Sequence, residues 1–415
     1  MNIPQNASFI IDTLNNAGYE AYVVGGCVRD AILGRVPQDW DITTSALPEQ
    51  VKALFRRTID TGIQHGTVTV MLGKEGYEVT TYRIDGEYHD GRHPDQVTFT
   101  RSLSEDLLRR DFTINAMAYH PQEGLVDLFG GQPDLKAKII RAVGVPKDRF
   151  SEDALRMLRA VRFAGQLGFA IENETKEAIK ALAPTLTKIS EERIREEFTK
   201  LLLSPQPELL DVAIETGMTD IVLPEVNGLG IHLQEAYDAI RVLKASFLGN
   251  EHEKTALCYA LLLAEAGGAE AVCKRLKFDN ETIQMVRMLY ENRNVTYTDS
   301  LPDARRLLHR LGEDNLKLLF AYQRAALTGC GCSHALAEIE VGEHAVDQVL
   351  QAGDCYDLKQ LAVKGADLIA AGFAPGKMLG DVLAKLLDAV IEEPSLNQKE
   401  NLIVLAQEMQ NDHGK

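Results

Sequence analysis

The chain has 415 residues, of which 61 are acidic and 44 basic, so its formal charge at pH 7 is −17. Its 45% hydrophobic and 25% charged residues are ordinary for a soluble globular protein, which excludes disordered, collagen-like and coiled-coil chains. The longest apolar run, residues 256–264, is too short for a membrane-spanning helix, and the first residues show no secretory signal. We therefore expect a cytoplasmic protein of two to four domains that does not interact with membranes.

The cysteine pattern supports the same cellular location. Six cysteines are scattered along the chain, and only Cys330 and Cys332 are close together, as C-x-C. That spacing matches no common zinc-binding pattern. Reduced thiols, as found in the cytosol, are the simplest interpretation.

Hydrophobic patterning divides the chain into two parts. Up to about residue 140, helix-like and strand-like segments alternate, and a helix is predicted over residues 48–55. From about Ser151 onward, apolar residues recur at helical spacing. The sequence thus predicts an α+β fold, with a mixed α/β head followed by a long all-helical remainder. The predicted strands of the head are residues 19–26, 40–43, 67–72 and 77–83.

The segment from residue 25 to residue 44 carries the strongest chemical signal. Asp39 and Asp41 alternate along a predicted strand, so both carboxylates should point to one face, where they would suit Mg²⁺. A lone D-x-D is usually a solvated acidic edge. Here, however, Gly25 and Gly26 follow a strand and open a short helix that contains Arg29, which suits close approach to a polyphosphate. Neither a P-loop nor a Rossmann fingerprint is present.

The combination of G-G-x-V-R-D, L-G and D-x-D resembles the nucleotidyltransferase superfamily that includes DNA polymerase β. It is most similar to the class II tRNA nucleotidyltransferases, the CCA-adding enzymes, and to their bacterial poly(A) polymerase relatives. Further family-like motifs follow in order at residues 109–119, 127–135, 152–169 and 192–198. The resemblance implies four parts: a polymerase-β-like head over residues 1–140, a neck over 141–205, a body over 206–270 and a tRNA-binding tail over 271–415.

The resemblance also implies roles for residues of the head. Asp39 and Asp41 would bind two Mg²⁺ ions, which activate the primer 3′-hydroxyl and hold the triphosphate. Glu78 is a candidate third carboxylate, although an exposed glutamate on a strand is an equally good interpretation. The residues implied to contact the nucleotide or its reacting groups are Gly26, Arg29 and Arg110.

A charged series begins near residue 151. Ser151 is a plausible N-cap, which would place Glu152 and Asp153 in the first turn of a helix. Three-residue spacing would then align the following side chains on one surface, which for a generic helix would be a salt-bridged solvated face. Residues 136–163 hold eight basic and three acidic side chains, so this region can contact phosphates despite the acidic whole. The aligned side chains are Asp153, Arg156, Arg159 and Arg162.

The family resemblance turns this series into a base-reading template. An ionised Asp153 only accepts hydrogen bonds and Arg156 only donates them. Together they complement the amino donor and ring-nitrogen acceptor of cytosine and adenine, and they mismatch uracil and guanine. Arg159 and Arg162 would help to hold the base, sugar or triphosphate. The implied activity is addition of C, C and A to the 3′ end and acceptor arm of tRNA from CTP and ATP.

Several alternatives remain open. The polar loop over residues 86–94 resembles the flexible loop that CCA-adding enzymes retain and CC-adding relatives lack. A poly(A) polymerase is the main alternative, although residues 381–415 hold only three basic against seven acidic side chains, which suits a compact partner better. A partial CC- or A-adding enzyme and a non-catalytic RNA-binding module are the others. The oligomeric state is open, with a homodimer as one alternative.

Overall fold

The computed structural model describes residues 1–86 and 97–412. Most of the predicted polar loop, residues 87–94, lies outside these residues. The chain forms two compact units. The first comprises residues 1–228 with 274–278, and the second comprises residues 229–273 with 279–415. The four-part division remains a prediction.

Every strand among the described residues belongs to the first unit. Seven of them form one sheet in the order β3-β4-β5-β2-β1-β8-β9, and the others form two-stranded pairs, β6 with β7 and β10 with β11. The strands are β1 Ala21–Val24, β2 Ile42–Thr44, β3 Thr58–Gly62, β4 Thr67–Leu72, β5 Glu75–Thr81, β6 Arg83–Asp85, β7 Val97–Phe99, β8 Met117–His120, β9 Gly124–Asp127, β10 Ile139–Ile140 and β11 Ala170–Ile171.

Helices occur in both units. Those that lie wholly in the first unit are α1 Gln5–Asn16, α2 Gly26–Ile32, α3 Pro48–Leu54, α4 Leu103–Leu108, α5 Gly131–Ala137, α6 Pro146–Glu152, α7 Leu155–Leu167, α8 Asn173–Leu182, α9 Glu191–Leu202, α10 Leu210–Glu215 and α11 Thr219–Val222. Those that follow along the chain are α12 Ile231–Ser246, α13 Glu251–Leu262, α14 Ala269–Arg275, α15 Asn280–Asn292, α16 Leu301–Leu311, α17 Glu313–Gly329, α18 Leu336–Ala352, α19 Gly365–Ala370, α20 Lys377–Glu392 and α21 Lys399–Asp412. Within residues 1–86 and 97–412, no helix combines the length and apolarity needed to cross a bilayer.

The large sheet is mixed, which confirms the predicted fold class. β2 pairs with β5 in parallel, and the other neighbouring pairs in this sheet are antiparallel. The strand predicted over residues 67–72 coincides with β4. The strand predicted over residues 40–43 instead begins at Ile42, so Asp39 and Asp41 precede it. Asp41 is nevertheless held at its start, because its carbonyl oxygen accepts a 3.0 Å hydrogen bond from the Val24 N–H.

The core of the head forms around β1, whose four residues are all buried. Tyr22 and Val24 share one face of this strand and pack with Tyr82, Leu107 and Ala118 in an apolar cluster. α1 packs against β1 and β2 through its buried apolar stripe. This packing fixes the ends of β1 and β2, where the D-x-D motif and the glycine pair lie.

The helix predicted to begin near Ser151 is wrong in its boundaries. α6 starts at Pro146, whose fixed φ suits a first helical turn, and it ends at Glu152. Ser151 therefore lies in the last turn of α6 and is not an N-cap. Asp153 follows in an extended conformation, with φ −139° and ψ 104°, and α7 begins at Leu155. Asp153 thus lies between two helices.

Candidate active site

The turn after β1 is shaped by a glycine that no other residue could replace without strain. Gly25 has φ 83°, in the left-handed region, and its N–H donates a 3.1 Å hydrogen bond to the carbonyl of Met117. A Cβ atom at this position would lie 3.1 Å from Nη1 of Arg110. The glycine therefore permits both the turn and the close approach of the Arg110 guanidinium.

Three carboxylates gather beside this turn. Asp39, Asp41 and Glu78 are all exposed. The parallel register pairs Ile42 with Val79, so Glu78 stands level with Asp41 on the neighbouring strand.

The surroundings of Asp41 raise its pKa. Asp41 stays accessible to solvent, but the protein packed around its carboxylate removes part of its hydration, which raises its pKa. The negative charges of Glu78 and Asp39 raise this pKa further, and the positive charge of Arg110 opposes them. The structure thus brings together four of the predicted site residues.

Arg110 is oriented by a buried aspartate that the sequence analysis did not identify. Asp106, on α4, is fully buried and accepts hydrogen bonds from Arg109 at 2.8 Å, from Nη2 of Arg110 at 3.2 Å and from Thr43 at 3.1 Å. Burial alone would raise the pKa of Asp106, but the two arginines outweigh it and keep this pKa below its usual value. The three- and four-residue spacing to Arg109 and Arg110 was a usable signal in the sequence.

Asp106 satisfies only part of the Arg110 guanidinium. The Nε of Arg110 is buried and has no hydrogen-bond partner among the described residues. The rest of the group lies beside the Gly25 turn and within the electrostatic reach of Asp41. Nη1 of Arg110 therefore lies at this turn, where Asp106 does not engage it.

Arg29 lies close to Gly26 but is strongly engaged by the protein. Its guanidinium donates to Asp30 at 2.9 Å and to Asn115 at 2.7 Å, and it is largely buried. A Cβ atom at Gly26 would be 3.7 Å from Nη2 of Arg29. Arg29 therefore packs against the buried side of the glycine turn and is held there by Asp30 and Asn115.

Asn115 continues this network to a second buried aspartate. Asp111 accepts a 3.1 Å bond from Asn115 and a 2.6 Å bond from Arg159 of α7. Burial would raise the pKa of Asp111, but the charge of Arg159 and the hydrogen bonds lower it to about 2. Arg159, which was predicted to help hold the base, sugar or triphosphate, thus forms an ion pair with Asp111 in this structure.

Arg162 is paired as well. Its guanidinium donates to the buried Glu197 of α9 and, at 3.0 Å, to Gln166. Burial is the largest cause of the lowered pKa of Arg162. The ring of Phe163 lies 3.8 Å from this guanidinium, and those of Arg29 and Arg159 are 5.2 and 5.3 Å away. One aromatic ring thus joins three predicted nucleotide contacts.

The predicted template residues have separate partners in this structure. The Asp153 carboxylate accepts a 3.0 Å bond from the Leu155 N–H and a 2.8 Å bond from Nη2 of Arg193. Arg156 donates to Glu152 and, at 2.9 Å, to the carbonyl of Arg109. Arg193 lies in the motif at residues 192–198, but its pairing with Asp153 could not be inferred from spacing.

A second group of potential metal ligands lies in the other unit. Among the described residues, His252, Asp279 and Glu281 bring one ligand atom each to within 4.8 Å of one another. Asp279 caps α15 by accepting from the Thr282 N–H at 2.9 Å, and it also accepts from His252 at 3.2 Å. These bonds account for its position without a metal ion.

Three family models match the chain along most of its length. The poly A polymerase head domain matches residues 21–141, and the RNA and SrmB-binding site of polymerase A matches residues 168–229. The tRNA nucleotidyltransferase domain 2 matches residues 250–406. The first match includes the glycine turn, the D-x-D motif, Glu78 and Arg110.

Individual relatives agree with these matches. The CCA-adding enzyme of Lactiplantibacillus plantarum is 41% identical over 97% of this chain and 95% of its own length. That of Enterococcus faecalis is 40% identical, with the same shares covered. The crystal structure of the Bacillus stearothermophilus CCA-adding enzyme in complex with CTP has 34% identity and a TM-score of 0.81, covering 100% of this chain and 99% of that one. The chain therefore belongs to the family of CCA-adding enzymes, the tRNA nucleotidyltransferases.

Proposed function

We propose that this protein adds C, C and A in turn to the 3′ end of tRNA from CTP and ATP and releases pyrophosphate. The observation that carries the proposal is the cluster of Asp39, Asp41 and Glu78 beside Arg110 at the Gly25 turn. Near-full-length relatives are named CCA-adding enzymes, and the Bacillus stearothermophilus relative was crystallised with CTP.

Nucleotidyltransferases of this family generally use divalent metal ions, and we propose Mg²⁺ here. Asp39 and Asp41 would hold it, with Glu78 as a further ligand. The fit rests on charge. Desolvation and then the negative charges of Glu78 and Asp39 raise the pKa of Asp41, and a hard divalent cation would relieve the repulsion among these carboxylates. When bound, the metal lowers the pKa of the attacking hydroxyl and neutralises charge on the triphosphate.

We assign binding of the triphosphate to the Gly25–Gly26 turn and Arg110. The turn leaves room for close approach of phosphate oxygens because neither glycine carries a side chain. Arg110 would present Nη1, which lies beside Gly25 while Asp106 engages Nη2. Arg29 supports the turn from behind, through Asp30 and Asn115.

We assign base selection to Asp153 and Arg156. The Asp153 carboxylate would accept from the amino group of cytosine or adenine, and Arg156 would donate to the neighbouring ring nitrogen. To do so, both side chains would share or exchange their present partners, Arg193 and Glu152. Arg159 and Arg162 would act on the nucleotide while they remain paired with Asp111 and Glu197.

Residues 271–415 would bind the body of the tRNA, following the four-part division into head, neck, body and tail, and the protein would act in the cytoplasm.

A bacterial poly(A) polymerase is the second candidate, because a head domain of that name matches residues 21–141. A partial CC- or A-adding enzyme would share the same catalytic cluster. A non-catalytic RNA-binding module would not need the three carboxylates.

The test is an incorporation assay with three tRNA transcripts that end before the first C, after one C and after two C residues. With Mg²⁺, CTP and ATP, every transcript should end in CCA and stop there, as read on a sequencing gel. Repeated A addition would identify a poly(A) polymerase, and arrest after CC a partial enzyme. Asp39→Ala should abolish incorporation. Asp60→Ala, which removes an exposed carboxylate of β3, is the matched control and should retain it.

A further inference from the structure

The C-x-C pair lies in a tight turn at the end of α17. The Cys332 N–H donates 2.8 Å to the Leu327 carbonyl, and the Gly331 N–H donates 3.1 Å to that of Thr328. Gly331 has φ 71°, in the left-handed region. This is the double hydrogen-bond pattern that closes many helices, and it reverses the chain between the two cysteines.

The turn is anchored to a neighbouring helix of the same unit. At Gly329, a Cβ atom would lie 2.6 Å from both the Ala239 nitrogen and the Glu235 carbonyl oxygen of α12. Backbone therefore packs directly on backbone at the end of α17. The Cys330 thiol is also held in place, because it donates to the Leu327 carbonyl at 3.4 Å. The two cysteines thus occupy a preformed geometry.

The Cys332 thiol lies against Cys330. It donates a hydrogen bond to the carbonyl oxygen of Cys330 at 3.7 Å. Consecutive Cα atoms are about 3.8 Å apart, so a chain reversal keeps residues two apart within the Cα separation that a disulfide spans. Both side chains are half-exposed.

The remaining thiols are shielded. All four are buried, and burial raises the pKa of Cys27 to about 11 and those of Cys258 and Cys273 to about 12. Burial also raises the pKa of Cys355. Little thiolate forms at these positions, and reagents in solution cannot reach them.

We propose that Cys330 and Cys332 are the reactive dithiol of this protein, a site that low-molecular-weight disulfides oxidise to an intrachain disulfide. The Cys330 thiolate attacks one sulfur of the small disulfide, forms a mixed disulfide and expels one thiolate. The Cys332 thiolate then attacks the Cys330 sulfur and expels the second. Two protein thiols lose two electrons and two protons, and the small disulfide becomes two thiols.

The order of attack follows from the local contacts. Cys330 attacks first, because its side chain lines a cavity that a small disulfide can enter. This cavity has a volume of about 410 Å³ and is also lined by His232, Arg293 and Tyr322 of the same unit. This space gives a small disulfide access to the Cys330 sulfur and a path for the departing thiol.

The experiment uses the reduced full chain and oxidised glutathione. After incubation and acid quenching, the protein is unfolded, alkylated with N-ethylmaleimide and analysed by intact mass and peptide mapping. The six free thiols should fall to four, without a retained glutathione adduct, and the cross-link should map to the peptide that holds residues 330–332. Dithiothreitol should restore all six.

Two variants make the outcome decisive. Cys332→Ser should retain glutathione on Cys330, because no second thiol is available to expel it. Cys355→Ser, which removes a buried thiol, should still lose two thiols as the unmodified chain does. Survival of all six thiols, loss of thiols at the buried cysteines, or a stable adduct on the unmodified chain would each overturn the proposal. Circular dichroism before quenching establishes that every variant is folded.

Discussion

Arg193 holds Asp153 across a sequence separation of 40 residues, with Nη2 of the arginine 2.8 Å from the carboxylate. The side chains are 21% and 15% exposed, so the pair is partly shielded from water. Asp153 lies between α6 and α7, where no helix restrains its side chain. Arg193 and the Leu155 N–H therefore set the direction of the carboxylate to which we assign base selection.

Arg193→Met should weaken base selection. Without the guanidinium, the Asp153 carboxylate loses a charge-assisted hydrogen bond worth about 1.5–3 kcal/mol and gains freedom to turn. We expect the preference in kcat/KM for CTP over UTP to fall by about tenfold. Lys200→Met, which removes an exposed cation from the same helix, is the matched control. An equal loss of rate with both nucleotides would contradict this positioning role.

Asp153→Ala should have the larger effect on base choice. It removes the acceptor for the amino group of cytosine and adenine, so use of UTP and GTP should rise relative to CTP and ATP. Competition assays with pairs of nucleotides measure this ratio directly. Triphosphate binding should change much less, because Arg110 and the glycine turn are untouched. If base discrimination survived in both Asp153→Ala and Arg156→Ala, the pair would be structural.

Asp41→Asn should abolish transfer and slightly stabilise the metal-free protein. The pKa of Asp41 is higher in the folded state than in the unfolded state. At every pH above the unfolded-state pKa, the ionised carboxylate therefore destabilises the fold. A neutral amide removes the repulsion from Glu78 and Asp39. We expect a loss of turnover of at least about a hundredfold, and a gain of up to about 1 kcal/mol in unfolding free energy in the presence of a chelator. Near-normal turnover would refute the metal assignment.

Asp106→Asn should slow the reaction without altering base choice. Arg110 would lose its charged partner and orient less well, while Asp153 and Arg156 remain in place. We expect kcat/KM for CTP and ATP to fall by about tenfold or more, in proportion to the loss of one charge-assisted bond. Glu105→Gln changes an exposed neighbour on α4 and serves as control. A shift in the CTP-to-UTP ratio would argue for a different role.

Asp111→Asn should destabilise the protein in a pH-dependent way. The pKa of Asp111 is about 2 when folded and about 3.9 when unfolded, so its ionised form stabilises the fold above about pH 4. The difference from the unmodified chain should be about 2–3 kcal/mol near neutrality and should vanish as the pH falls below about 2. Urea unfolding at several pH values measures this gap. The double variant with Arg159→Gln should cost less than the two single changes combined, because no unpaired charge remains.

Local patterns predicted β1 and β4 and the glycine turn after β1 correctly. Two of these patterns are local: a strand that ends in two glycines, and a D-x-D next to β-branched residues. Each involves only residues that are adjacent in the sequence, so the sequence alone reveals it. Glu78 was placed on a strand by alternation alone. Its position beside Asp41 depends on the parallel pairing of β2 and β5, and no local pattern encodes that choice of partner.

The charged residues of α7 show where such reasoning fails. Regular spacing suggested that Asp153, Arg156, Arg159 and Arg162 share one helical surface. The break at Asp153 arises from Pro146, which starts an earlier helix that ends at Glu152. Arg159 and Arg162 find their partners 48 and 35 residues away, at Asp111 and Glu197. Tertiary packing decides such pairings.

The position of β1 between β2 and β8 determines the order in which the sheet can form during translation. β1 can pair with β2 soon after both are synthesised. Its other edge pairs with β8, and the Gly25 N–H bonds to the Met117 carbonyl, so neither contact can form until residue 117 has been synthesised. At typical translation speeds, the segment between Thr44 and Met117 takes roughly 4–15 seconds to make. During that interval the growing chain already holds Asp39 and Asp41 but exposes an unpaired strand edge. A nascent chain that stalls there has the carboxylates to which we assign metal binding but no finished turn beside them, so truncated products should be inactive and prone to aggregate.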